Sequence, residues 1–471
     1  MIGRTIGDIA EVVRGTVVGA DPSTAITGKV EFDSRRVGPG DLFLAIPGER
    51  VDGNDYAVAA EQAGAAGVIS TRPVPTGSIV VADPVDAITA LATAASPQLP
   101  ATIVGITGSS GKTSTKDLAA QVFGRLGATI APPGSFNNEL GYPYTVLLAD
   151  ESTRFLILET SARGVGHIAH LTRIARPRIG IVLNVGSAHL GEFGSVEAIA
   201  QAKGELVEAL PAAADGGVAI LNADDRRVAA MAARTAARVV LVGTGEQATV
   251  RAADVRLDES GRAEFRLVAP GGSAPVALRL VGAHQVGNAL AVAAAALECG
   301  MSVAEVADAL SAATATSRWR MEVSQTEDGV TVINDAYNAN PESMAAALQA
   351  AARMASGRRL VTVFGHMAEL GPGSADAHTE LGRQVAGAGA HLVLVVGDEA
   401  VPVLEGAADA GVPGDRLIQV ADVDEAVTKL GQLVEAGDVV LIKGSRAAGM
   451  ERVAQALLAA RTSGSRAGAT S

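Results

Sequence analysis

Apolar runs of five or six residues recur along this 471-residue chain, and each ends on a glycine or a polar residue. "TIVGIT", "RFLIL" and "RIGIVLN" form one series from residue 102, and "GVTVIN", "RLVTVFG", "HLVLVVG" and "DVVLIKG" form another beyond residue 330. Runs that are apolar throughout belong to strands covered on both faces, and their alternation with amphipathic stretches is the pattern of a parallel α/β sheet. In such sheets ligands gather outside the carboxyl ends of the strands. The residues that close the runs, Glu159 and Asn184 with His189 just beyond, therefore stand where chemistry is expected.

Around these two series the texture differs. The first 95 or so residues mix short apolar runs with Gly and Pro, as in "SRRVGPGDLFLAIPGERVDGNDY", and predict short strands, turns and one or two helices. The two prolines of "AASPQLPAT" mark a linker, and a polar, strand-like interval at about 237–282 precedes the helix "QVGNALAVAAAALECG". The chain thus divides into an α/β fold of three domains, 1–97, 98–313 and 314–461, with a disordered tail at 462–471.

A formal net charge of −13 argues against a nucleic-acid partner, since phosphate contacts need a basic surface. No run approaches the roughly 20 apolar residues that span a bilayer, so no membrane insertion and a cytoplasmic location are expected. Cys299 is the sole cysteine, which excludes an internal disulfide, and its apolar setting predicts a buried, inert thiol. Only six of the 38 basic residues are lysine. Lys112, Lys203 and Lys443 each touch a glycine in a short polar stretch, a placement that suggests lysine chemistry.

The strongest motif is Thr107-Gly108-Ser109-Ser110-Gly111-Lys112-Thr113-Ser114, between a strand and a helix. That architecture aims backbone N–H groups and a helix N-terminus at phosphate. Lys112 supplies a point charge for β- and γ-phosphates and the Thr113 hydroxyl suits Mg²⁺, so the loop is read as an ATP site. Its spacing is shorter than the usual P-loop pattern, with Ile106 where the first glycine belongs. Glu159 offers a hard oxygen ligand beside it. Lys203 sits on a helix with acidic neighbours. A lysine can react covalently, and once carbamylated by CO₂ it would present a carboxylate to a second metal. Asn288, Arg320, Asp335 and Tyr337 lie at the seam of the two α/β series and suggest a nucleotide gripped from both sides.

The order of these residues resembles that of the Mur ligases and their folylpolyglutamate synthetase relatives, whose shortened P-loop reads Thr-Gly-x-x-Gly-Lys-Thr/Ser. "GITGSSGKT", Glu159, "NVGSAHL" with His189, "AKGEL" with Lys203, "NADD", "GAHQVGNAL", Arg320 and Asp335 follow in the family's sequence over nearly the whole chain. "DSRRVGPGDLFLAIPGERVDG", "SFNNELGYP", "NDAYNANPESM", "HMAELG" and "KGSR" resemble the member that adds D-alanyl-D-alanine. The resemblance implies a small N-terminal UDP-sugar-binding domain, a central ATPase and a C-terminal Rossmann-like domain. It implies an ATP-dependent ligase that activates the terminal carboxylate of UDP-N-acetylmuramoyl-tripeptide as an acyl phosphate and joins it to D-alanyl-D-alanine, working as a monomer.

By the same resemblance Thr113 and Glu159 would bind one Mg²⁺, and His189 with carbamylated Lys203 another, with Lys112 stabilising the transferring phosphoryl group. Asn288, Arg320 and Asp335 would contact base, phosphates and ribose, with Asp335 and Tyr337 brought in by C-terminal closure. Ser34 and Arg35 match the UDP-side motif, and Asn137 and Asn138 the stretch near the muramoyl peptide. Lys443, Ser445 and Arg446 are expected near the dipeptide or the reacting carboxylate. Three positions depart from the family pattern: Thr160-Ser161 in place of Met-Gly after Glu159, Gln285 for an asparagine, and His366 for an aspartate. The first puts the metal geometry beside Glu159 in question. Another amide ligase of the superfamily, or a nucleotide-binding protein without turnover, remain alternatives.

Overall fold

The computed structural model describes residues 3–48, 51–188 and 190–463. Its α/β chain builds three main sheets and one two-stranded pair among the described residues. The middle one has nine strands in the spatial order Gly272–Val281, Arg262–Ala269, Val250–Leu257, Arg238–Gly243, Val218–Asn222, Ile179–Val182, Thr102–Thr107, Phe155–Glu159 and Thr129–Ile130. All run in one direction except Arg262–Ala269, which pairs antiparallel with both of its neighbours. Buried parallel strands read as continuous apolar runs, whereas Arg262–Ala269 alternates exposed and buried because one of its faces meets water.

Register places the chemistry. Glu159 pairs with Ile106 and Val182 with Thr107, so the phosphate loop, Glu159 and Asn184 emerge at one carboxyl edge.

The N-terminal sheet orders Thr16–Val18, Ser78–Val80, Gly67–Ser70, Leu42–Leu44 and Val30–Glu31, beside a two-stranded pair Arg4–Thr5 and Ala25–Ile26. Three α-helices accompany it, Ile6–Val13, Ala57–Gln62 and Pro84–Ala95, one more than the sequence pattern predicts. Much of the expected linker is helical: Pro84–Ala95 runs into the 3₁₀ turn Ser96–Gln98. This body shares a core with the middle one. Ile9, Ile26, Leu44, Ile88 and Leu91 cluster with Tyr142, Tyr144, Leu156 and Leu158, and Phe32 meets Phe136 and Tyr144 ring to ring at 5.9 and 5.2 Å. Each large apolar side chain buried in this way contributes roughly 2 kcal/mol, so separating the two bodies would be costly.

The C-terminal sheet orders Glu322–Gln325, Thr331–Asn334, Val439–Lys443, Leu360–Phe364, Leu392–Val396 and Leu417–Val420, parallel but for the first strand at its edge. Apolar clusters cover both its faces. Its last helix, Glu451–Ser463, enters the segment expected to be disordered by two residues, and 464–471 lies outside the described residues. Cys299 is half-buried rather than fully buried, and burial pushes its thiol up to about 11, in keeping with an inert group. Among the described residues no helix is long and apolar enough to cross a membrane.

Candidate functional site

Strand Thr102–Thr107 turns through Gly108–Gly111 into helix Lys112–Phe123. The turn needs glycine at 111, where φ is +80° and an added Cβ would lie 2.7 Å from Asn288 Oδ1. Gly108 permits a second close approach, since its Cβ would stand 2.9 Å from Leu183 Cβ. The first intrahelical bond runs from Thr115 N–H to the Gly111 carbonyl, which leaves the N–H groups of Lys112, Thr113 and Ser114 at the helix start without a helical acceptor.

Asn184, which ends the neighbouring strand run, braces the loop from below. Its Oδ1 accepts from Ser110 N–H at 2.9 Å, and its Nδ2 donates to the Ser110 carbonyl at 3.2 Å. Ser109 Oγ accepts from Gly186 N–H at 2.9 Å.

Thr113 and Glu159 come together as expected. The threonine hydroxyl donates to Glu159 Oε2 at 2.9 Å, both residues are almost wholly buried, and Asn137 Nδ2 donates to Glu159 Oε1 at 2.7 Å. The unexpected partner is Arg320, 207 residues further along. Its Nη2 donates to Thr113 Oγ1 at 2.9 Å and to Ser135 Oγ at 2.8 Å, its guanidinium lies 4.1 Å from the Tyr337 ring centroid, and its Nε is buried without a partner. Lys112 folds back to donate from Nζ to the Gly108 carbonyl at 2.7 Å. Burial pushes its ammonium below the ordinary lysine range, Glu159 partly opposes this and Arg320 adds to it.

The Thr160-Ser161 departure leaves this geometry intact. Thr160 is fully buried with its hydroxyl donating to the Ile106 carbonyl, while Ser161 Oγ donates to the Asn137 carbonyl at 2.9 Å. Both hydroxyls thus go to backbone carbonyls and leave the Glu159 carboxylate to Thr113 and Asn137. Gln285 accepts from Asn288 Nδ2 at 2.9 Å, and His366 faces Glu399 at 3.2 Å, outside the cleft.

Lys203, on helix Val196–Glu208, is 4% exposed. Burial drives its ammonium well below the ordinary lysine range, and the charge of Lys112 pushes the same way. No hydrogen bond or ion pair of its amine occurs among the described residues. His189 lies outside the described residues, and among those described no three His, Cys, Asp or Glu side chains form a metal cage.

Several expected contacts fall elsewhere. Thr107 is buried with its hydroxyl donating to the Thr160 carbonyl, a brace between strands rather than a cleft contact. Lys443, 2% exposed, lines the cleft and donates to Asp335 Oδ2 at 2.6 Å and to the Asn338 carbonyl at 2.7 Å, so it anchors Asp335. Ser445 is buried and accepts from Ala368 N–H, which shapes the 366–369 loop. Arg446 does face the cleft, paired with Glu451 and 4.5 Å from the Trp319 ring centroid. Asn138 lines the cleft while its Oδ1 accepts from Gly141 N–H. Ser34 and Arg35 sit on the N-terminal body away from the cleft lining, and paired hydrogen bonds from Arg35 hold Asp33 down to about 2.

The cleft itself encloses about 980 Å³ and draws its walls from all three bodies: Phe32 from the first, the loops 109–114, 134–141 and 159–163 from the second, and Asp335, Tyr337 and Glu342 from the third. That is the size range of small-molecule sites. Arg163 on its wall was missed by sequence reasoning, and its guanidinium has no partner among the described residues.

A loop for phosphates, a buried hydroxyl–carboxylate pair and an arginine from a separate body define an ATP-using ligase of modular build. Residues 28–101 match the Mur ligase family, catalytic domain, 106–296 the Mur ligase middle domain, and 319–446 the Mur ligase, glutamate ligase domain. The chain belongs to the Mur ligase family. Within it, the UDP-N-acetylmuramoyl-tripeptide–D-alanyl-D-alanine ligase of Mycobacterium bovis is 50% identical over 99% of both chains. The crystal structure of MurF from Acinetobacter baumannii superposes with a TM-score of 0.84 at 31% identity, covering 97% of this chain and 99% of that one. MurF ligase from Thermotoga maritima in complex with ADP gives a TM-score of 0.78 at 29% identity, over 92% and 98%.

Proposed function

We propose that this chain joins D-alanyl-D-alanine to the terminal carboxylate of UDP-N-acetylmuramoyl-tripeptide at the expense of ATP. The observation that carries the reading is the meeting of Thr113, Glu159 and Arg320 at one point of a cleft walled by three bodies. The full-length likeness to UDP-N-acetylmuramoyl-tripeptide–D-alanyl-D-alanine ligases supports the same choice over the other family members. In this reading 1–97 holds the UDP-sugar, 98–313 holds ATP, 314–461 closes over both, and the monomeric enzyme works in the cytoplasm.

A substrate carboxylate oxygen attacks the γ-phosphorus, the bond to the ADP oxygen breaks, and an acyl phosphate results. The dipeptide amine then attacks the carbonyl carbon, phosphate departs, and the amine loses a proton to give the amide. The protein's work is positional and electrostatic. The helix-start N–H groups and Lys112 receive the β- and γ-phosphates, and Arg320, released from Thr113 and Ser135, offsets charge developing on the transferring group. In this reading Asn288, which backs Gly111, would contact the base, and Asp335, held by Lys443 and by Met321 N–H at 2.9 Å, would contact the ribose. Thr113 and Glu159 are hard oxygen donors suited to Mg²⁺, which supplies charge neutralisation between phosphates when bound. The buried Lys203 amine, biased toward its neutral form, has the nucleophilicity that carbamylation by CO₂ requires, and with His189 would serve a second Mg²⁺. Arg163, on the cleft wall, would serve as an anchor for a peptide carboxylate.

Steady-state ADP release should require both UDP-muramoyl-tripeptide and D-alanyl-D-alanine. Turnover with another amine alone, or none with the dipeptide, would overturn the assignment.

A further inference from the structure

The C-terminal body reaches the middle one through more than Arg320. Helix Pro341–Met354, capped by Asn340, presents Glu342 in its first turn. The Glu342 carboxylate crosses to the middle body and accepts from Ser187 N–H at 2.8 Å and from Ser187 Oγ at 3.1 Å. Glycine at 186 makes room for it, since an added Cβ would lie 2.7 Å from Glu342 Cδ. The N–H of Gly186 is in turn held by Ser109 of the phosphate loop. Five residues on from Gly186, Gly191 N–H donates to the Glu369 carbonyl at 3.0 Å, and its missing side chain lets Gly371 approach, since a Cβ would meet Gly371 N at 2.7 Å. The segment from Gly186 to Gly191 is therefore held near both ends by the C-terminal body.

The connection between these bodies carries local backbone strain. Trp319 and Met321, on either side of Arg320, both hold positive φ, at +60° and +49°, a conformation that ordinary side chains adopt only under local constraint. The first two bodies share one core, whereas the C-terminal body is covered mostly by its own clusters, with Val281 of the middle body joining one of them.

We infer that Glu342 is a positioning residue: it latches the C-terminal body onto Ser187 and thereby sets the 186–191 loop and, through Gly186 and Ser109, the phosphate loop. It acts on the reaction through that loop and not by touching the transferring group. The inference rests on the proposed ligase reading for its activity arm only; its distance arm stands without it.

The test uses the full chain in a Cys299→Ser background, with spin labels at Glu246→Cys on the middle body and Asp409→Cys on the C-terminal one. Glu342→Ala and Gly191→Ala attack the latch from opposite sides, and Glu342→Gln keeps one acceptor for Ser187 N–H. The distance distribution should broaden in both alanine variants and return toward wild type in Glu342→Gln. In parallel kcat should fall by about a hundredfold in Glu342→Ala, as expected for a displaced reacting geometry, with partial recovery in Glu342→Gln and little change in the KM for ATP. A distribution the same in wild type and both alanine variants overturns the latch, whatever the activity. A broadened distribution with wild-type kcat overturns the positioning role. If the labelled wild type shows no ligation, the functional proposal fails while the distances still decide the latch.

Discussion

Gly111→Ala is the smallest change that should damage the phosphate loop, and its cost can be worked from the structure. At φ +80° an L-residue pays about 1–2 kcal/mol relative to glycine. The new Cβ would also stand 2.7 Å from Asn288 Oδ1. That amide cannot swing freely, because its Nδ2 donates to Gln285 in a buried site at 2.9 Å, and losing this bond costs about 1 kcal/mol more. The total is about 2–3 kcal/mol, borne by the loop that receives phosphate. To the extent that the cost falls on the phosphate-binding conformation, titration calorimetry with a non-hydrolysable ATP analogue should show affinity weakened by up to roughly 30-fold to 140-fold, and urea unfolding should show the middle body destabilised. Gly111→Ala combined with Asn288→Ala removes the collision but keeps the backbone strain, so about 1 kcal/mol of stability should return. Unchanged affinity and stability in Gly111→Ala would refute the reasoning.

Lys203→Met should abolish ligation yet raise apoprotein stability in bicarbonate-free buffer by about 1–3 kcal/mol, because an unpartnered buried amine is removed. Since burial lowers the folded-state pKa of Lys203, wild-type stability should rise with pH up to its ordinary range near 10, and this part of the slope, read by denaturant titrations across pH, should vanish in the variant. Lys443→Met should destabilise the C-terminal body by about 3–5 kcal/mol by stranding Asp335, and adding Asp335→Asn should recover part of that loss in thermal melts. Arg163→Ala should raise the KM for UDP-muramoyl-tripeptide about tenfold while leaving the KM for D-alanyl-D-alanine unchanged in initial-rate assays.

What the sequence makes legible is what local pattern encodes. Continuous apolar runs identify the parallel strands, and glycines between a strand and a helix identify the phosphate loop. Glu159 was readable because strand register carries the end of one apolar run alongside its neighbour. Arg320 on Thr113 and Ser135 was not readable, since it depends on how a separate body folds back across 207 residues. Asn184 closes an apolar run and could have been found as a brace for the loop on that signal alone. Ser135 and Glu342 had no comparable signal. Lys443 and Ser445 sit in a stretch whose composition suggests reactive chemistry, but side-chain direction is set by packing, and burial turns them to Asp335 and Ala368. Thr160-Ser161 looked like a threat to the metal pair for the same reason: residue type alone does not say that Thr160 points to Ile106.

The central claim is that ATP activates the peptide carboxylate, and the label of one oxygen tests it. With UDP-muramoyl-tripeptide carrying ¹⁸O in its terminal carboxylate, complete turnover should deliver one labelled oxygen to the inorganic phosphate, because the bridging oxygen of the acyl phosphate leaves with phosphorus. Phosphate released without the label, while amide product accumulates, would contradict the account.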